Sequence, residues 1–142
     1  MAKRNFRIET PRGSVSTKGA RSELVWNTNF VPKYITRYTL AQAFIDNEVL
    51  RRSEPYTPLL TGTLIKTGIL GTEVGSGFVQ WIAPYAAAQY YRARKAGSVT
   101  GTEVGSVTGP LRGPFWFERM KAVDGNQIIA GARRFVGTGK AT

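Results

Sequence analysis

The chain contains no cysteine and no histidine. Without cysteine there is no disulfide and no thiolate metal site, and without histidine the commonest neutral-pH acid/base and the commonest metal ligand are missing. Acidic residues are scarce as well, nine in 142. They are Asp46, Asp124 and seven Glu, with no cluster at metal-ligand spacing. Asp46 and Glu48 come nearest, but residues two apart on a helix do not share a face, and both are expected on its solvated side. No Ser or Thr nucleophile can be assigned a base. The sequence therefore reads as a non-enzyme, with no catalytic residue, cofactor or metal.

Long apolar runs are absent too. The longest uncharged stretch with apolar weight, Phe78 to Ala88, contains Gln80 and Pro84 and is too short to cross a bilayer. Met1 to Arg7 opens with positive charge, but no apolar segment follows, so a secretory signal is not supported. The expectation is a protein that stays in the cytoplasm where it is made, with no membrane partner.

What is abundant is positive charge. Twenty Lys and Arg against nine acids give +11, which predicts attraction to polyanions or acidic protein surfaces. Residues 1–30 carry six basic and two acidic side chains, 31–111 eight and five, and 112–142 six and two, so both ends are more basic than the middle. No basic run exceeds two residues, unlike a continuous nucleic-acid-binding stretch. With 42% hydrophobic and 11% aromatic residues, the chain can build one core but hardly two.

Residues 1–23 mix basic residues with Gly13, Ser14, Ser16, Thr17 and Gly19, and read as an arm that is flexible or ordered by a partner. Leu24-Val25-Trp26 suggests a short strand before a turn. A long helix is predicted from about Lys33 to Ser53, because Tyr34, Tyr38, Ala41, Ile45 and Val49 recur at steps of three and four, widened by Ile35 and Phe44. Lys33, Arg37, Asp46, Glu48, Arg51 and Arg52 would lie largely away from that stripe. Pro55 and Pro58 end the helix.

From Leu60 to Leu70 the β-branched residues favour a strand, Gly71 to Gly77 a turn, and Phe78 to Ile82 a second strand, together an antiparallel hairpin. A helix over Ala86 to Lys95 follows, stopped by Gly97. Residues 97–109 repeat Gly-Ser-Val-Thr, and Gly101 to Ser106 copies Gly71 to Ser76. This segment is either a surface loop or an arm that orders against a neighbouring subunit. Its glycines at 97, 101, 105 and 109 lack the Gly-Lys-Ser/Thr ending of a phosphate loop. Phe115 to about Val123 and Ile128 to Val136 make one interrupted helix or two short ones.

The expected fold is α+β: a long amphipathic helix packed on a small antiparallel sheet, with a basic N-terminal arm (1–30), one domain (31–137) carrying an extended loop (97–113), and a tail (138–142).

Three short blocks point further. Pro58, Thr61, Gly62, Leu64 and Thr67 follow the amphipathic helix, Trp81-Ile82-Ala83-Pro84-Tyr85-Ala86 precedes Gln89-Tyr90-Tyr91, and Trp116-Phe117-Glu118 precedes Lys121. Their order and spacing resemble the minor capsid, or tail-completion, proteins of long-tailed bacteriophages, over about Tyr38 to Lys121. Leu60 stands where that family commonly has Asp. The resemblance implies a structural virion protein of the siphovirus neck, joining the DNA-filled head to the tail in a homo-oligomeric ring, six copies being favoured over twelve. The implied partners are the adaptor or stopper ring on the head side and the tail terminator or tail tube on the other, with contact to genome DNA in the channel.

Partner contacts are expected in the arms, at Arg4, Arg7, Arg12, Val99, Thr102, Val104 and Val107. Thr61, Gly62, Leu64, Pro84, Tyr85 and Trp116 are expected to define the fold. The alternative reading is a small basic nucleic-acid-binding protein, with aromatic and basic residues at Tyr90-Tyr91-Arg92 and Arg133-Arg134-Phe135.

Overall fold

The computed structural model describes residues 6–59, 61–91 and 111–138. Its elements are strands β1 (Gly13–Thr17) and β2 (Ala20–Leu24), helix α1 (Phe30–Ser53), a 3-10 turn (Glu54–Tyr56), and helices α2 (Thr63–Gly71), α3 (Ala86–Tyr90) and α4 (Trp116–Thr138). The chain is α+β, a long helix packed against a small two-stranded antiparallel sheet. Side chains at the base of the hairpin make that contact: Trp26 stacks on Phe30, donates from Nε1 to Pro11 O at 2.8 Å, and Phe6 lies on Tyr38.

The principal pairing is α1 against α4, running antiparallel. Near the start of α1, Arg37 donates to Val136 O (3.1 Å) and Gly137 O (2.8 Å), placing a cation on the carbonyls that end α4. Midway, Phe44 stacks on Phe135 and comes so close to Gly131 that a Cβ there would lie 2.5 Å from its ring. At the far end Arg52 bonds Asp124 (3.0 Å) and Gln127 (2.8 Å). Sequence periodicity found α1 to within three residues of its start. The C-terminal segment is one continuous helix, Gly125 notwithstanding, because Met120, Ile128 and Ala132 hold its buried face against α1.

The small sheet is not where the β-branched residues suggested. Residues 63–70, expected within a strand, and Gly71, expected in the turn after it, form α2. Leu64 and Gly68, one helical turn apart, are its buried positions, and a Cβ on Gly68 would sit 2.5 Å from Trp81 Nε1. The contact of α2 with the segment beyond it overrides the strand preference of its threonines and isoleucines. The strands lie instead in the N-terminal arm, paired from Gly13↔Leu24 to Thr17↔Ala20 about a turn in which Gly19 takes φ +94°. Leu24 ends β2, and Val25 and Trp26 lie beyond it.

One core holds the rest together. Tyr56, Leu64, Ala83, Ala86, Trp116, Met120 and Ile128 are buried, with Ile45, Val49, Trp81, Tyr90 and Phe117 packed around them. Trp116, 1% exposed, meets Trp81 and Tyr90 edge-on. Arg112 and Arg119 fasten the approach to α4: Arg112 donates to Glu54 O and Thr57 O, and Arg119 to Pro114 O and Tyr56 O. Among the described residues no helix is long and apolar enough to cross a membrane.

Candidate functional site

The antiparallel pairing of α1 and α4 sorts the charges between two ends of the molecule. Among the described residues, the N-terminal arm, the start of α1 and the end of α4 carry Arg7, Arg12, Lys18, Arg21, Lys33, Arg37, Arg133 and Arg134, with only Glu9 and Glu23 to oppose them, and the base of the arm's hairpin rests on the start of α1. Among the described residues of the other end, Arg51, Arg52, Lys66, Arg112, Arg119 and Lys121 are matched by Asp46, Glu48, Glu54, Glu73, Glu118 and Asp124; Arg92, Arg94 and Lys95 lie outside the described residues. Much of that second set is committed internally. Glu48 takes Arg51 at 2.7 Å and Arg52 at 2.7 Å, and the hydrogen bond from Arg51, aided by Arg52, pulls its carboxyl from the ordinary 4.5 to about 2. The hairpin end thus carries a concentrated positive field.

The arm residues proposed for contacts fall partly on this end. Arg7 is exposed, 4.0 Å from Glu9, and Arg12 is exposed on the rim of a cleft of about 390 Å³ that also includes Leu24, Val25, Trp26 and Val31. Arg4, Val99, Thr102, Val104 and Val107 lie outside the described residues.

The fold-defining residues are spread across the junctions around the core. Gly62 takes φ +78° and precedes α2, where Thr61 and Thr63 share a hydroxyl contact of 2.6 Å. Leu64 and Trp116 are in the core itself. Pro84 and Tyr85 form the exposed turn before α3, whose Ala86 donates back to Ala83 O. The expected helix over 86–95 is described only as Ala86–Tyr90, followed by Tyr91.

Asp46 corrects the expectation of a solvated carboxylate. It is 2% exposed, accepting from Gly75 N (2.8 Å) and Gly77 N (3.1 Å) at Oδ2 and from Gln42 Nε2 (2.9 Å) at Oδ1. A charge is tolerated there because backbone donors surround it. The signal in the sequence is Gly75-Ser76-Gly77, a turn able to aim alternate amides, those of Gly75 and Gly77, at one acceptor.

Next to that turn, residues 78–82 alternate exposed and half-buried with the period of a strand, as the sequence suggested, but no strand among the described residues partners them. Two hydroxyls stand in for one. Ser76 Oγ accepts from Phe78 N (3.1 Å) and donates to Phe78 O (3.3 Å), and Thr72 Oγ1 accepts from Gln80 N (3.2 Å) and donates to Gln80 O (3.5 Å). Alongside lies a groove of about 500 Å³ lined by Ile45, Asp46, Val49, Val79, Trp81, Tyr90 and Phe117. Burial pushes the Tyr90 phenol up from its ordinary value.

Comparison of the chain with protein-family models, with curated proteins and with solved structures finds no match.

Proposed function

We propose that this protein is a structural component of the neck of a long-tailed bacteriophage, joining the DNA-filled head to the tail as one ring of a homo-oligomeric stack. The observation that carries the reading is that the three blocks resembling the tail-completion family, remote in sequence, meet in one core: Leu64 with Ala83, Ala86 and Trp116, and Trp81 edge-on to Trp116. Positions scattered over some fifty residues act as one structural unit, which is what a shared motif set requires.

The charge distribution suits the same role. A connector must find one partner surface and stay soluble before assembly, and a strongly basic end steers it to acidic rings while repelling its own kind. On this reading the protein is made in the bacterial cytoplasm and ends in the virion at the head-to-tail junction. The basic end meets a neighbouring neck ring or the DNA in its channel.

The test is disruption of the gene in a phage genome that carries it, with electron microscopy of the lysate. Filled heads beside separate, complete tails are the expected result. Normal infectious particles would overturn the proposal. The same basic end favours a second reading, a small nucleic-acid-binding protein, which requires tight DNA or RNA retention with a steep salt slope. Loss of retention at moderate salt favours the connector.

A further inference from the structure

Two incomplete pieces of sheet occupy the same chain. The first is the β1–β2 hairpin, every residue of which is exposed. Its register puts Val15, Ala20 and Leu24 on one face, with Gly13, Thr17 and Ser22 between them, and Ser14, Ser16, Arg21 and Glu23 on the other. The hairpin is therefore amphipathic, yet Val15 is 67% and Leu24 51% exposed, so its own subunit leaves the apolar face uncovered. A lone two-stranded hairpin is marginal in water and gains from a third strand.

The second piece is residues 78–82. Along a strand, the N–H and C=O groups of alternate residues point to opposite edges. Phe78 and Gln80 have both groups met by Ser76 and Thr72, which closes one edge. Val79 and Trp81, on the other, find no hydrogen-bond partner among the described residues, and both line the groove beside α1. A strand edge unpaired among the described residues, next to an apolar groove, is the geometry that takes an added strand.

We infer that the hairpin of one copy docks on the Val79–Trp81 edge of a second copy, its Val15 and Leu24 turned into the groove against Ile45 and Val49. Charge disfavours pairing of two hairpin ends, since each carries a surplus of cations, whereas among the described residues the groove end carries no such surplus. A hairpin-to-groove contact is heterologous, with a different surface on each partner, and such contacts close into rings when the rotation between copies permits. The inference supplies the proposed ring with its subunit contact and takes its setting from that reading, but it is tested on the purified protein alone.

The cysteine-free chain permits a clean test. A Val15→Cys copy is mixed with a Val79→Cys copy at about 1 mM, high enough to populate a weak association. A thiol-to-thiol reagent spanning about 8 Å bridges even diagonal neighbours on paired strands. Cross-linked heterodimer is expected in at least tenfold excess over a Val15→Cys and Val123→Cys mixture, Val123 being exposed on α4. Val15→Asp, at a position too exposed to disturb folding, should reduce self-association in the ultracentrifuge at least tenfold. Equal cross-linking in the two mixtures, a chain that stays monomeric and unlinked, or association unmoved by Val15→Asp would each overturn the inference. Such results leave the gene-disruption outcome untouched, so the two failures are distinguishable.

Discussion

A carboxylate as buried as Asp46 persists in a protein interior only where donors compensate its lost hydration. Here the donors are two backbone amides of the 75–77 turn and the Gln42 amide, so one side chain fixes the turn against α1 and with it the start of the 78–82 segment. Asp46→Ala leaves both amides facing a void and should cost about 3 kcal/mol of unfolding free energy, measured by urea titration. Asp46→Asn retains an acceptor oxygen and should cost less. Glu48 acts differently, through two arginines, and its effect is readable in pH. Its folded carboxyl titrates near 2 rather than 4.5, so its contribution is fully present above 4.5 and is lost as pH falls from there toward 2. Thermal midpoints between pH 5 and pH 2 should fall less steeply in Glu48→Gln than in the natural chain, while the variant is already less stable at pH 7.

At the scale of elements, the most sensitive junction is α2 against the strand-like segment. A Cβ on Gly71 would lie 2.5 Å from Ile82 Cγ2 and 2.8 Å from Gln80 O, and the second atom is backbone that cannot rotate away. Gly71→Ala should therefore destabilise by about 1–3 kcal/mol through overpacking, although alanine is the better helix former. A denaturant midpoint equal to or above that of the natural chain would refute this. The same junction explains which elements were legible in the sequence. Helix α1 was, because Ala41, Ile45 and Val49 keep helical spacing over many turns. Helix α2 was not, since nine residues rich in threonine and isoleucine satisfy strand preferences as well, and Trp81, the residue that decides the matter, is ten positions beyond the helix. The hairpin at 13–24 was hidden for a related reason: its strands bury nothing in their own subunit, so the alternation that marks a strand had no core to report. Asp46 was misplaced because helical periodicity assigns polar residues outward and does not foresee a turn of amides arriving 29 residues later.

For the whole molecule, the governing property is the separation of charge along the α1–α4 axis. That separation was only half legible, since the surplus at both chain ends was evident but not that antiparallel helices bring those ends together. It yields a prediction specific to function. Arg133 and Arg134 are exposed on the last turns of α4 and have, among the described residues, no partner comparable to those of Arg37, Arg52, Arg112 or Arg119. Reversing both, Arg133→Glu with Arg134→Glu, should change unfolding free energy by no more than about 0.5 kcal/mol. The same change takes the described residues of the basic end from eight basic and two acidic side chains to six and four, and places two carboxylates at a helix C-terminus that disfavours them only locally. If the basic end is the docking surface, the double variant should rescue a gene-disrupted phage at least tenfold less well than the natural chain, by infectious titre. Arg51→Glu, at the balanced end, breaks a pairing with Glu48 and would lower stability without that selective loss of docking. A double variant that is folded and rescues fully would move the partner surface away from this end, whatever the charge there.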